Sequence, residues 1–176
     1  METTRWLTAS QQRAWRAYLM GSARLMERLD RDLRALGLSM PEYEIMVRLS
    51  EAPERTLRMA ELADSVNHSR SRLTHTIARM EAAGMVERDT CASDRRGVLA
   101  RLTEVGYARL VEVAPTHVSG VRDGLVDLVS DEDFEVVGRV FEAVGAREVQ
   151  ACRKHRAEGA TEDAATTAAT KGATAD

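Results

Sequence analysis

At 176 residues with a net charge of −3, this chain has room for one compact domain with a real core and not for two of comparable size. Its apolar content of 44% and charged content of 30% match an ordinary soluble globule, and no run of ~18 apolar residues exists to form a spanning helix. Met1 to Thr8 lacks the apolar centre of a secretory leader, so a cytoplasmic chain without membrane contact is expected.

The first long pattern runs through Trp15, Leu19, Ser22, Met26, Leu29, Leu33 and Leu36. Its steps of four and three residues define the seam of a helix that packs along its length, and Gly37 ends it. Ser39-Met-Pro-Glu42 has capping-box spacing, with Pro41 tolerated in the first turn, and predicts a short helix carrying Tyr43, Ile45, Met46 and Leu49. Ala52-Pro53 closes it. Met59, Leu62, Ala63 and Val66 mark the buried side of a third helix. Arg58 stands where a cap is wanted, so that end is expected to fray or to borrow Thr56.

After a turn at Val66-Asn67-His68, Ser69 is placed to cap a fourth helix with Leu73, Ile77 and Met80 inward, and Gly84 stops it. Two short helices joined by a tight turn form a helix-turn-helix. The period then changes. Met85–Arg88 and Val98–Leu102 read as strands, with Val98, Ala100 and Leu102 sharing a face. Between them, Asp89 to Gly97 is small, polar and tipped by arginines, which makes a hairpin attached to the fourth helix. Thr103 is the expected cap of a long helix with Tyr107, Val111, Ala114, Val118, Val121, Leu125 and Leu128 in a stripe. Pro115 inside it is expected to kink or loosen one turn. Ser130-Asp-Glu-Asp133 opens a last helix bearing Phe134, Val137, Val140, Phe141 and Val144.

The chain thus divides into an N-terminal extension (1–9), an ordered body (10–155) and an Ala/Thr-rich aperiodic tail (156–176) expected to be disordered. Within the body, terminal helices over 10–37 and 103–155 flank a lobe over 39–102. The charge is uneven: from His68 to Arg101 arginines outnumber acids, although the whole chain is acidic. The two cysteines, Cys91 and Cys152, are isolated, and His68, His75, His117 and His155 have no ligand spacing, so neither a metal nor a cofactor is expected. No phosphate loop, nucleophile elbow or metal pair is present to suggest an enzyme.

Asp94-Arg95-Arg96-Gly97 followed by Leu102-Thr103-Glu104-Val105-Gly106 resembles the wing signature of the MarR family of regulators. Glu61-Leu62-Ala63, Ser69 to Thr74 and Met80 to Arg88 add to the likeness, which covers about residues 10 to 150. The resemblance implies a mainly α fold: a winged helix-turn-helix domain with a small β-hairpin wing, and terminal helices forming a dimerisation region. It implies a non-enzymatic regulator, commonly a repressor, that binds double-stranded DNA as a homodimer on a pseudo-palindromic operator.

With Leu73, Ile77 and Met80 inward, a rotation of about 100° per residue turns Ser71, His75 and Ala78 outward, with Arg72, Thr74 and Arg79 on the shoulders. Arg72 suits guanine; Ser71, Thr74 and His75 suit neighbouring bases. Arg70 and Arg79 suit phosphates, beside the cap Ser69. His75 departs from the arginine often found there in the family. For the wing, the resemblance implies that Asp94 braces the hairpin and Arg96 enters the minor groove, while Arg95 is either a phosphate contact or the partner of Asp94.

Apolar surface beyond the needs of a small winged domain suits pairing of the terminal seams across a two-fold axis. The family resemblance also implies release by a small aromatic or phenolic effector, with Trp15, Arg16, Tyr18, Tyr43, Met46 and Arg48 as candidate lining. Such an aromatic stripe serves more often as plain core. Cys91, between Arg88 and Arg95, is a redox candidate that would make the regulator responsive to oxidation. A winged helix used only as a protein-interaction adaptor is the remaining alternative, and it has no need of arginines gathered on one side.

Overall fold

A computed structural model describes residues 3–66, 69–90 and 98–147, without the side chains of Arg70 and Thr90. Asn67, His68, the hairpin tip with Cys91, Asp94, Arg95 and Arg96, and the segment with Cys152, His155 and the tail lie outside these residues. By compactness the chain forms two units, Met1–Asp127 and Leu128–Asp176.

In the first unit, α1 (Ala9–Ala35) starts at a capping box that the sequence reading passed over. Thr8 Oγ1 accepts the Gln11 N–H at 3.3 Å, and Gln11 Oε1 accepts the Thr8 N–H at 2.9 Å. The helix ends at Gly37, whose φ of 75° is the left-handed conformation that glycine adopts without strain. The expected seam is split. Leu29 and Leu33 are buried in this chain, whereas Trp15, Leu19 and Met26 are about half exposed.

Helix α2 (Met40–Glu51) begins as expected: Glu42 Oε2 accepts from the Ser39 N–H at 2.9 Å and from its hydroxyl at 2.6 Å. Ile45, Met46 and Leu49 are fully buried at the centre of the core. A 3-10 turn, Pro53–Arg55, follows, and then β1 (Thr56–Arg58), a strand not expected from the sequence. Thr56 therefore does not cap α3 (Met59–Ser65); it pairs with Arg101 in the sheet, and its hydroxyl donates to the Glu54 carbonyl at 3.0 Å. The Arg58 N–H is met instead by Glu61 Oε2 at 3.3 Å, the reach-back half of a capping box.

Ser69 caps α4 (Arg70–Ala82) by accepting the Arg72 N–H at 3.3 Å. Leu73, Ile77 and Met80 are buried as expected, and Gly84 turns the chain at φ 69°. The hairpin strands are β2 (Val86–Thr90) and β3 (Val98–Leu102), antiparallel with Val86 opposite Leu102. The sheet has the order β1-β3-β2. On β3, Ala100 and Leu102 are buried, while Val98 at the outer end is exposed.

Helix α5 (Glu104–Gly124) continues through Pro115. Its buried side is Gly106, Leu110, Val113 and Gly120; Val111 and Val118 of the expected stripe face outward. Leu125 and Leu128 lie beyond the helix, which ends at Gly124 and gives way to a 3-10 turn, Val126–Leu128. In the second unit, α6 spans 131–147. Ser130 Oγ accepts the Asp133 N–H at 3.1 Å, and Phe134, Val140, Phe141 and Val144 are exposed along the helix.

Candidate nucleic-acid interface

One side of α4 is locked into the core and the other is exposed, which defines the candidate interface. Ile77 and Met80 are at 0% exposure, and their contacts fix the rotation of the helix. Ser69, Ser71, Arg72, Thr74, His75 and Arg79 are all exposed on the remaining arc, where helical periodicity puts them. Thr76, which the rotation left unassigned, is buried, and its hydroxyl donates to the Arg72 carbonyl at 3.0 Å. The backbone of Arg70 begins the helix.

The hairpin is tied to this helix at its base. Arg88 Nε donates to Glu81 Oε2 at 2.9 Å, joining β2 to the end of α4, and Arg101 on β3 pairs with Glu87 on β2. Thr103 closes the junction. Its hydroxyl donates toward the carbonyls of Gly84, at 2.7 Å, and Met85, at 3.1 Å, and accepts the Gly106 N–H at 3.0 Å. The Leu102-Thr103-x-x-Gly106 motif therefore welds the turn after α4 to the start of α5. Gly106 has no room for a side chain: a methyl there would overlap the Met85 carbonyl and come within 2.7 Å of Leu102 Cδ1.

The residues expected to line an effector pocket are split in this chain. Met46 is fully buried and Tyr43 nearly so, both in the core because α2 is packed on several sides. Trp15 and Tyr18 are exposed on α1 with ring centroids 5.5 Å apart, Arg16 is exposed, and Arg48 lies 3.8 Å from Glu51. None of the six borders the cavity of about 620 Å³ that opens between the α1–α2 turn and α4. Arg34, Glu42, Arg72, His75, Thr76 and Arg79 are among its lining. Arg34 and Glu42 were not singled out from sequence as ligand residues, although Ser39-x-x-Glu42 had marked Glu42 as a helix-start residue.

Burial pushes the Glu42 carboxyl up, but the Ser39 hydroxyl, the Ser39 N–H and Arg79 together hold it below the usual range. Asp30 is also lowered, chiefly by the Met40 N–H at 2.9 Å and then by Arg34. His117 on α5 was likewise not assigned a role. Its ring centroid lies 4.4 Å from that of Tyr43, burial lowers its pKa, and its Nδ1 finds no hydrogen-bond partner among the described residues.

These shifts have one sign for stability. The unfolded chain protonates the His117 imidazole below about pH 6.5, and the folded chain resists it, so stability falls as the pH drops through that range. The lowered carboxylates add a second loss below about pH 4. A thermal midpoint measured against pH is expected to decline in these two stages, and His117→Asn is expected to remove the first. A midpoint constant between pH 7 and 5 would contradict the assignment.

Among the described residues, no helix is long and apolar enough to cross a membrane, and no group of three or more His, Cys, Asp or Glu could hold a metal ion. A helix-turn-helix whose second helix is exposed on one side, followed by a hairpin pinned to it, is the winged-helix fold of a DNA-binding regulator. Residues 38–98 match the model of the MarR family. Over 82% of this chain, the structure superposes on AbsC, a MarR family transcriptional regulator from Streptomyces coelicolor, with 43% identity, a TM-score of 0.78 and 97% of that chain covered. Sco3205, another MarR family transcriptional regulator of that organism, was solved in complex with DNA. It is 41% identical with a TM-score of 0.78, covering 82% of this chain and 91% of its own. The HTH-type transcriptional repressor YetL of Bacillus subtilis (strain 168) is 29% identical over 109 residues, 60% of this chain and just under two thirds (65%) of YetL. The chain belongs to the MarR family of transcriptional regulators.

Proposed function

We propose that this chain is a sequence-specific, non-catalytic DNA-binding regulator of the cytoplasm that acts as a homodimer on a pseudo-palindromic operator, as a repressor released by a small aromatic or phenolic acid. The observation that carries the DNA reading is the exposed arc of α4, with Ser71, Arg72, Thr74, His75 and Arg79 outward while Leu73, Ile77 and Met80 anchor the helix. Sco3205, with its structure on DNA and 41% identity, supports the same reading. In this proposal Arg72 reads a base edge, Ser71, Thr74 and His75 read or brace neighbours, and Ser69, Arg70 and Arg79 hold phosphates. Asp94, Arg95 and Arg96 supply the wing contact. Exposed apolar side chains on α1 (Trp15, Leu19, Met26), α5 (Val111, Val118) and α6 (Phe134, Phe141) favour burial against a second copy.

The test is binding of the purified chain to the DNA upstream of its own gene and to scrambled DNA of equal length across a salt series. Specific binding that weakens with salt, at two chains per site, is the expected result. Binding to neither DNA at low salt would remove the regulator reading and favour the protein-interaction adaptor.

A further inference from the structure

We propose that the Glu42 side chain competes with DNA for Arg79, pairing with this arginine in the free protein so that a backbone phosphate must take the arginine from it; this deepens the proposed function and rests on α4 being the DNA-facing helix. The start of α2 needs only one of the two Glu42 oxygens. Oε2 accepts both the N–H and the hydroxyl of Ser39, at 2.9 and 2.6 Å. A neutral glutamine would complete that capping box equally well. Oε1 has no part in the cap. It faces α4, where Arg79 Nη2 lies 3.4 Å away.

The negative charge is thus more than the cap requires, and its surroundings keep it effective. The Glu42 side chain is 15% exposed, so water and salt screen it little, whereas that of Arg79 is 65% exposed on the outer arc of α4. Burial pushes the Glu42 carboxyl up, but Ser39 and then Arg79 hold it below its usual range, so it stays ionised at neutral pH. Arg34, which borders the same cavity, gives its Nε to Asp30 at 2.6 Å. The contact between Glu42 and Arg79 is at the long end of hydrogen-bond range. A phosphate reaching the exposed side of Arg79 offers a shorter charge-assisted bond and wins the guanidinium, but only by breaking this pair.

The opposition falls on one arginine of the arc and spares another. Two turns earlier on α4, Arg72 is exposed, and no carboxylate among the described residues lies within ion-pair distance of it. Glu42 therefore lowers the backbone-driven part of the affinity, which is common to all DNA, and leaves base reading unopposed. It is a positioning residue that acts through Arg79.

The test compares Glu42→Gln with wild type on the upstream and the scrambled DNA over one salt series. The variant is expected to bind both DNAs about threefold or more tightly at low salt, with a gain that shrinks as salt rises. In an Arg79→Ala background most of that gain is expected to vanish. A role confined to the cap would move the thermal midpoint without a gain that depends on Arg79. Glu42→Asp keeps the charge at the helix start but draws it back from Arg79 by one carbon. It carries the test if the neutral variant does not fold, with a smaller gain expected. Unchanged or weaker DNA binding by the folded variant, or an equal gain with and without Arg79, would overturn the proposal. Wild-type binding without a gain in the variant removes this proposal alone, whereas absence of wild-type binding removes the regulator reading and the proposal with it.

Discussion

Gly106→Ala is expected to lower the thermal midpoint by about 4–10 °C. The added carbon would overlap the Met85 carbonyl oxygen and crowd Leu102 Cδ1. A side-chain tip can swing aside, but this carbonyl is backbone, and it already accepts from the Thr103 N–H at 3.1 Å and from the Thr103 hydroxyl. Relief therefore requires the turn after α4 to part from the start of α5. The same shift moves the base of the hairpin relative to α4, so DNA affinity should fall further than stability alone explains at temperatures where the variant is folded. Calorimetry together with the DNA-binding assay checks both. A midpoint within about 1 °C of wild type would show that the junction is slack.

Arg72→Ala is expected to weaken binding to the specific site by about 1–3 kcal/mol, with little loss on scrambled DNA. Arg72 is exposed in the first turn of α4, where side chains reach base edges, and no carboxylate among the described residues lies within ion-pair distance of it. Arg79 sits two turns further on, 3.4 Å from Glu42. Arg79→Ala is expected instead to weaken both DNAs alike and to reduce the salt dependence by about one counterion. Measured on both DNAs over the same salt series, the pair separates reading from holding. Equal losses on both DNAs for Arg72→Ala would place it among the phosphate contacts.

Much of the architecture was legible from local signals. Ser39, Ser69 and Thr103 each start the helix that their spacing announced. Gly37 and Gly84 turn the chain at positive φ where the patterns stopped. The inward trio on α4 and the hairpin strands followed from periods of 3.6 and 2. The exposed arc of α4 was readable for the same reason, because fixing three buried residues on a helix fixes the direction of the others.

What the local patterns did not decide shares a cause. Strand β1 is three residues long and carries no alternation; it exists because Thr56 and Arg58 pair with Arg101 and Leu99 on a distant segment. On α5, Val111 and Val118 of the expected stripe face outward and Ala114 and Val121 are half-buried, while Leu110, Val113 and Gly120 are the buried residues. The candidate effector residues on α1 and α2 shared helical spacing but not a location: Met46 is core and Trp15 is surface.

Sequence by itself determined the helices, their caps and stops, the helix-turn-helix and the family signature, because each depends on residues within one or two turns of one another. Tertiary structure alone decided three things: which half of the α1 seam is buried, why Gly106 must be glycine, and that Arg34, Glu42, Arg72 and Arg79 border one cavity. Those depend on close approach between segments far apart in the chain, and periodicity within a single helix carries no information about which other segment will pack against it.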